Sequence, residues 1–374
     1  MKGKITMKFS CDKDYLFEAV SAAMRAVATK AANPALEGIY ISAENGAVKV
    51  VGYDGDIAVS AVTDAIVAEE GAVVLGSHLF SEMLRRFNKG TVDISCDNAF
   101  FTDVKNNLTN YKINGISPDD YPALPEMSAE NSLRFPQNVL KSMLKQTVFS
   151  MSNAETKLVL NGCFFHIEGS LVKIVAVDGH RLAIREEIID TGSVESTSFI
   201  VPAKTVNEVL KLLSDEEGKT VYIEHTRRQI IFKIDNVTLI SRLIEGDFID
   251  YSTIANKKTS IDCRLDPKEF LAGIERTALL TNEKLRMPIR AVFEGDRVLL
   301  NCKTVQGWVH DEINCKTVGG ELEIGFTDKY MTEALRVIND DEIYVRLDSN
   351  LSPIIIEPVA GTSYKFVIMP IRLK

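Results

Sequence analysis

One pattern recurs three times along this chain, at an interval of about 125 residues. Each copy has a helical stretch, a Gly-punctuated hairpin, a second helix and a closing meander. The second helices read His78-Leu79-Phe80-Ser81-Glu82-Met83-Leu84, Thr205-Val206-Asn207-Glu208-Val209-Leu210 and Lys329-Tyr330-Met331-Thr332-Glu333-Ala334-Leu335. The hairpin turns recur as Glu44-Asn45-Gly46, Glu168-Gly169 and Glu294-Gly295. Tyr53-Asp54-Gly55 is answered one repeat later by Val177-Asp178-Gly179. Tandem copies of one globular unit point to an object built by symmetry, not to one specialised pocket. A chain of 374 residues also exceeds what one core usually supports. The period sets the units at residues 1–129, 130–257 and 258–374, with residues 1–6 a short extension and Met7 an alternative start. The boundaries fall in polar or Pro-bearing stretches near Pro122 to Asn131 and Asn256 to Ser260.

Within each copy the apolar spacing is helical first and strand-like afterwards. Tyr15, Leu16, Ala19, Val20, Ala23, Met24 and Val27 recur by threes and fours, which predicts an amphipathic helix. Leu140, Met143, Leu144 and Val148 do the same after Pro136, and Phe270, Leu271, Ile274, Ala278 and Leu279 after Pro267. Val48 to Val51, Val172 to Val175 and Val298 to Leu300 read as strands behind Gly turns. Thr220 to Glu224 and Gln229 to Ile234 read as closing strands. Two helices against a largely antiparallel sheet make the expected class α+β.

Composition excludes several classes. The chain is 45% apolar and 25% charged, an ordinary globular balance. No run approaches the roughly 18 apolar residues of a membrane span, and the first residues lack a signal-peptide apolar region. Cys11, Cys96, Cys163, Cys263, Cys302 and Cys315 form no C-x-x-C pair and mostly sit in apolar stretches. That pattern suits a reduced, cytoplasmic chain with no metal centre and no cofactor.

The net charge of −9 at first argues against nucleic acid, but placement matters more than the total. The first helical stretches carry Arg25 and Lys30, then Lys141 and Lys145, then Arg276, Lys284 and Arg286. The second carry Arg85, Arg86 and Lys89, then Lys204 and Lys211, then Lys329 and Arg336. Any one of these fits an ordinary solvated helix face. Six such faces in an acidic chain fit a lining that contacts phosphates without reading bases. His180 offers a general base, yet no nucleophile motif, P-loop or G-x-G-x-x-G accompanies it. Asp178-Gly179 is first of all hairpin chemistry, and His180-Arg181-Leu182 is what distinguishes the second copy from the first.

Ala176-Val177-Asp178-Gly179-His180-Arg181-Leu182-Ala183 and Val367-Ile368-Met369-Pro370-Ile371-Arg372-Leu373 resemble segments of the bacterial sliding-clamp family, the beta subunit of DNA polymerase III. Leu158-Val159-Leu160 with Asn161-Gly162, and Thr281-Asn282-Glu283-Lys284, add to the likeness, which runs from Met7 to the end. The resemblance implies three clamp domains per protomer and a six-domain ring formed by a head-to-tail homodimer. It implies a non-catalytic processivity factor that encircles duplex DNA irrespective of sequence, with no membrane partner. Its helix cations Arg25, Lys30, Arg85, Arg86, Lys141, Lys145, Lys204, Lys211 and Arg336 would face the DNA.

The resemblance also implies a peptide cleft between the second and third domains. There the polymerase catalytic subunit, the clamp loader and repair polymerases would dock short linear motifs. Leu160, Val177, Gly179, His180, Arg181, Leu182, Ile249, Ile254, Tyr330, Leu351, Val367, Ile368, Met369, Pro370, Ile371, Arg372 and Leu373 would line it. Pro370 marks a strand end, with Ile371 and Leu373 apolar at a free terminus. The dimer joints would set Leu279 and Leu280 against Tyr111 and Ile113, although both pairs equally suit intradomain core. Three departures stand out: Ile249 where the family usually has proline, Thr253 where a basic residue is common, and Lys374 past the usual terminal leucine.

Overall fold

The computed structural model describes residues 5–124, 132–154, 157–192, 196–281 and 287–373. The chain falls into two compact units, Met1–Asn138 with Lys211–Leu243, and Val139–Leu210 with Ile244–Lys374. Among the described residues the first unit holds one 13-stranded sheet and the second one 12-stranded sheet, and every recorded strand pair is antiparallel. The helices are α1 (Lys13–Ala23), α2 (Ser77–Arg86), α3 (Gln137–Lys145), α4 (Ala203–Leu212), the short α5 (Ser252–Ala255), α6 (Pro267–Ala278) and α7 (Asp328–Leu335).

The copies match in detail. Strands Gly38–Glu44 and Gly162–Glu168 bury the same alternate positions in the same order. Asp12 starts α1 by accepting from Asp14 N (2.8 Å), and Asp266 starts α6 by accepting from Lys268 N (2.7 Å), with Pro267 in the first turn. The buried stripe of α1 is Leu16, Ala19, Val20 and Ala23. Tyr15 is not part of it: it sits in the first turn and is 64% exposed. The helix also ends sooner than the spacing suggests. Met24–Ala26 tighten into a 3₁₀ turn, because Gly52 packs against the Ala23 carbonyl so closely that a Cβ there would lie 2.0 Å from it. α3 likewise ends at Lys145, and Val148 falls in a separate 3₁₀ turn.

Each unit is sewn across a boundary between copies. In the first, strand Ile57–Asp64 pairs with Val237–Arg242, setting Ala58 opposite Ile240. In the second, Arg181–Ile188 pairs with Tyr364–Ile368, setting Leu182 opposite Val367. The second copy is therefore shared, with its outer strands in one sheet and its inner strands in the other.

The segments leaving the first and second copies are fastened alike. Tyr121 packs its ring at 5.4 Å and 42° against Tyr40 and donates its hydroxyl to Val51 O (3.3 Å). Burial pushes that phenol well above its usual range. Phe248 stacks at 4.7 Å and 5° on Phe164, the counterpart of Tyr40 one repeat later. The two seams differ in filling. Phe17, Ala22, Arg25, Leu212, Ile234 and Val237 border a cavity of about 300 Å³ in the first unit. At the matching positions of the second unit, Gln146 Nε2 donates to Val337 O (3.1 Å) and Phe149 meets Phe366 edge-on at 5.3 Å.

If Tyr121 is the fastener of its segment, Tyr121→Phe costs about 1 kcal/mol and Tyr121→Ala about 3 kcal/mol. Urea unfolding followed by fluorescence measures both. An alanine variant as stable as the native chain would show that the segment is held by something else.

Candidate functional site

The candidate site begins with a turn present in two copies. In the first copy Asp54 Oδ1 accepts from Asp56 N and Ile57 N, both at 2.9 Å, and Gly55 takes a φ of 98°. In the second, Asp178 Oδ1 accepts from His180 N (2.9 Å) and Arg181 N (3.1 Å), with Gly179 at 92°. Such a φ favours glycine, so Asp-Gly at this place is turn chemistry in both copies. What changes is the residue that enters the following strand: Ile57 in one, Arg181 in the other.

Arg181 is 8% exposed, a buried cation where its counterpart is apolar. It persists because it is fully enclosed by compensating groups. Its Nε pairs with Asp178 Oδ2 at 3.0 Å and its Nη1 with Glu333 of α7. Its guanidinium lies 4.7 Å from the Tyr330 ring and 5.4 Å from the Phe149 ring. His180 is exposed and stacks on Tyr330 at 5.8 Å and 15°. Among the described residues, no nucleophile or proton partner for its ring is recorded; it presents a flat surface.

Beside this turn lies an apolar cluster. Leu160, Val177, Leu182 and Val367 are buried together with Val175, Ile184, Ala255 and Ile355. Val159, Phe164, Phe248, Ile249 and Tyr251 pack against it half-buried. Ile249 thus occupies the cluster wall, held there by the neighbouring Phe248–Phe164 stack. Around these stand exposed apolar groups: Leu158 (63%) on the Leu160 turn, Ile254 on α5, and Met369 beyond the strand end. Ile368 is buried, Gly179 exposed and Pro370 half-buried, while Leu351 and Arg372 are exposed on neighbouring segments.

The C-terminal segment is not free, contrary to the reading from sequence. Met369 N donates to His180 O (2.8 Å), and Ile371 N to Gly325 O (2.7 Å). Glycine is required at 325, because a Cβ would lie 2.6 Å from Leu373 Cδ2 and 2.7 Å from Ile371 O. The tail is therefore laid down in a fixed course past the turn. Neighbours of the candidate site that sequence reasoning did not place there include Glu333, Phe149, Phe164 and Phe248. Glu333 stands one helical turn beyond Tyr330, which is the signal that could have found it.

The basic residues are dispersed over both units. Lys141 and Lys145 lie on α3, Lys204 and Lys211 on α4. Arg85 and Arg86 on α2 converge on Glu82 (2.7 and 3.3 Å), whose carboxyl the hydrogen bond from Arg85 holds below its usual range. Arg336 caps α7 and pairs with Glu275 (2.7 Å), and Arg276 pairs with Asp311 (2.6 Å). Arg25 falls in the 3₁₀ turn and Lys30 beyond it, not on a helix, since α1 has already ended. Lys89 likewise follows α2. Lys284, Arg286 and most of the Thr281–Lys284 motif lie outside the described residues, as does Lys374.

Of the expected joint residues, Leu279 is 83% exposed where α6 ends, and Tyr111 is 41% exposed; Leu280 and Ile113 are half-buried. Leu279 and Tyr111 are thus not intradomain core. Tyr111 lies on strand Thr109–Ile116, which over residues 109–114 has one recorded partner, Phe101–Asn106. Strand Gly307–Val318 has one recorded partner over residues 307–314. Among the described residues, each therefore shows an open edge.

Family models of the DNA polymerase III beta subunit match the chain in order: the N-terminal domain at residues 7–125, the central domain at 134–250 and the C-terminal domain at 254–372. A protein of Bacillus subtilis named beta sliding clamp is 30% identical over 381 residues, covering 98% of this chain and 100% of its own length. One of Staphylococcus aureus with the same name is 31% identical over 376 residues, covering 98% and 99%. The crystal structure of the DNA polymerase sliding clamp from Bacillus subtilis superposes with a TM-score of 0.95 at 29% identity, covering 99% of this chain and 100% of that one. A beta-subunit structure from Eubacterium rectale gives 0.93 at 28%, covering 98% and 99%.

Replacing Arg181 with methionine strands Asp178 and Glu333, and the expected loss is about 2–3 kcal/mol of stability at neutral pH. Adding Glu333→Leu to the same chain should recover part of it. Urea unfolding decides, and a neutral single variant would mean that the network contributes nothing to the fold.

Proposed function

The chain belongs to the DNA polymerase III beta subunit family, and on that premise we propose that it acts as a closed ring, two protomers joined head to tail around duplex DNA. It is a DNA polymerase processivity factor and a non-catalytic subunit. Three copies of one α+β unit are its fold; six in the dimer would complete the ring. We take the units as residues 1–129, 130–257 and 258–374, close to the matched segments.

The observation that carries the ring is the pair of open strand edges. Exposed, flat edges are a liability in a monomer, and two unlike edges on one chain can satisfy each other in a two-fold pair. The edge strand bearing Tyr111 and Ile113 carries Lys112; the one at 307–314 carries Asp311 and Glu312. Their charges are complementary, and Leu279 with Leu280 would supply the apolar contact to Tyr111 and Ile113. Homodimer formation removes both edges at once.

DNA would be held by phosphate contacts from Arg25, Lys30, Arg85, Arg86, Lys141, Lys145, Lys204, Lys211 and Arg336. Exposed ion pairs such as Arg85–Glu82 contribute little by themselves, so exchanging Glu82 for a phosphate costs little. Such contacts slide because none reads a base. The partners in the cleft would be short apolar motifs of the polymerase catalytic subunit, the clamp loader and repair polymerases. Leu160, Val177, Leu182 and Val367 would be the floor, and His180, Tyr330 and the tail the walls. A cytoplasmic setting suits six cysteines without a disulfide among them. No described helix is long and apolar enough to cross a membrane.

Loaded onto a closed circular duplex, the protein should stay bound through a high-salt wash and be lost when the circle is cut. Equal retention on cut and closed DNA would refute enclosure in favour of gripping. Removing Met369–Lys374 should weaken binding of a polymerase-derived peptide at least about tenfold, or 1.4 kcal/mol, with the solution mass unchanged. Unaltered peptide affinity in that truncation would remove the cleft assignment.

A further inference from the structure

Strand Gly307–Val318 changes partner along its length. Residues 307–314 pair with Arg297–Thr304, and residues 315–318 with Ile261–Leu265. Two cysteines meet at the change-over. The register sets Leu265 opposite Cys315 and Cys263 opposite Thr317. Alternate residues share a face, so the two thiols are diagonal neighbours on one side of the sheet. Cys263 is fully buried. Cys315 is half-buried, and each of the other five cysteines is buried. The Cys315 sulfur lies 3.3 Å from Thr317 Oγ1, and the two thiols are within hydrogen-bonding reach of one another.

We propose that Cys315 and Cys263 form a peroxide-responsive modification site, with Cys315 the attacking sulfur and Cys263 the resolving one. The two positions suit the two roles. The hydrogen bond from Cys263, helped by Thr317, brings the Cys315 thiol below its usual range against the effect of burial. That shift favours the thiolate, the reactive form. The same hydrogen bond, together with burial, pushes Cys263 well up, so it stays protonated until needed.

The oxidant is a hydroperoxide. The Cys315 thiolate attacks the distal peroxide oxygen; an S–O bond forms as the O–O bond breaks, and the other oxygen leaves as alkoxide or hydroxide and takes a proton. The sulfur has lost two electrons and is a sulfenic acid. Cys263 sulfur then attacks the Cys315 sulfur. The S–S bond forms, the S–O bond breaks, and the departing hydroxide takes the Cys263 proton as water.

Diagonal neighbours in antiparallel strands have Cα atoms about 7–8 Å apart, against at most about 6.8 Å in ordinary disulfides. The bridge must therefore draw the strands together by on the order of 1 Å, which makes it readily reduced. It would tighten the frame beneath α6, whose Gly273 leaves room for Ile313: a Cβ at 273 would lie 2.4 Å from Ile313 Cδ1.

The test uses the full-length protein. Brief hydrogen peroxide, alkylation of remaining thiols and tryptic mapping should give a linked pair of the peptides 259–264 and 304–316, lost on reduction. Without peroxide, iodoacetamide should label Cys315 at least about tenfold faster than the buried cysteines. Cys315→Ser should abolish the linked peptides, and in Cys263→Ala a 1,3-dione should trap Cys315 as sulfenic acid. If Cys263→Ala fails to fold, the wild-type map decides by itself. Labelling of Cys315 no faster than the rest, or its oxidation to sulfinic acid or an intermolecular disulfide without the 263 link, would overturn the pair.

Discussion

Main-chain hydrogen bonding across the boundaries between copies is the constraint on which the rest depends. Ile57–Asp64 and Val237–Arg242 make one junction, Arg181–Ile188 and Tyr364–Ile368 the other. A slip of one residue would turn every side chain to the opposite face. The pairing of Leu182 with Val367 therefore fixes both the cluster floor and the course of the tail beyond it. Nothing in the candidate site is positioned independently of that register.

The site is a local edit of a repeated part. The Asp-Gly turn is common to two copies, and the first copy follows it with buried Ile57. Substituting Arg181 there demanded Asp178, Glu333 and two aromatic rings to make the buried charge tolerable. Those same groups order His180 and Tyr330 beside an apolar floor. An enclosed cation thus serves here as scaffolding, and the surface it leaves is mainly apolar and aromatic, suited to short hydrophobic segments.

Much of this was legible from residues. Period, α+β class, the strands behind the Gly turns and the Asp178 hairpin all follow from patterns confined to a few neighbours. The exposed Tyr15, the early end of α1 and the tethered tail did not. The last two are decided by distant segments: Gly52 against the Ala23 carbonyl, and Gly325 against Ile371 and Leu373. Glu333 was within reach only through Tyr330, one helical turn before it on α7; its pairing with Arg181, far along the chain, was not legible. The basic residues were countable, but their partners, such as Glu82 for Arg85 and Arg86, depend on rotamers that spacing does not fix.

The unequal filling of the two seams has a mechanical consequence. Atoms facing an empty space lack attraction on that side, so the junction beside Ala22 and Arg25 resists deformation less than the one closed by Gln146 and Phe149. Compression acts on such space first, since unfolding lowers the total volume by eliminating voids. Two joints made from one repeated design thus end up with different stiffness.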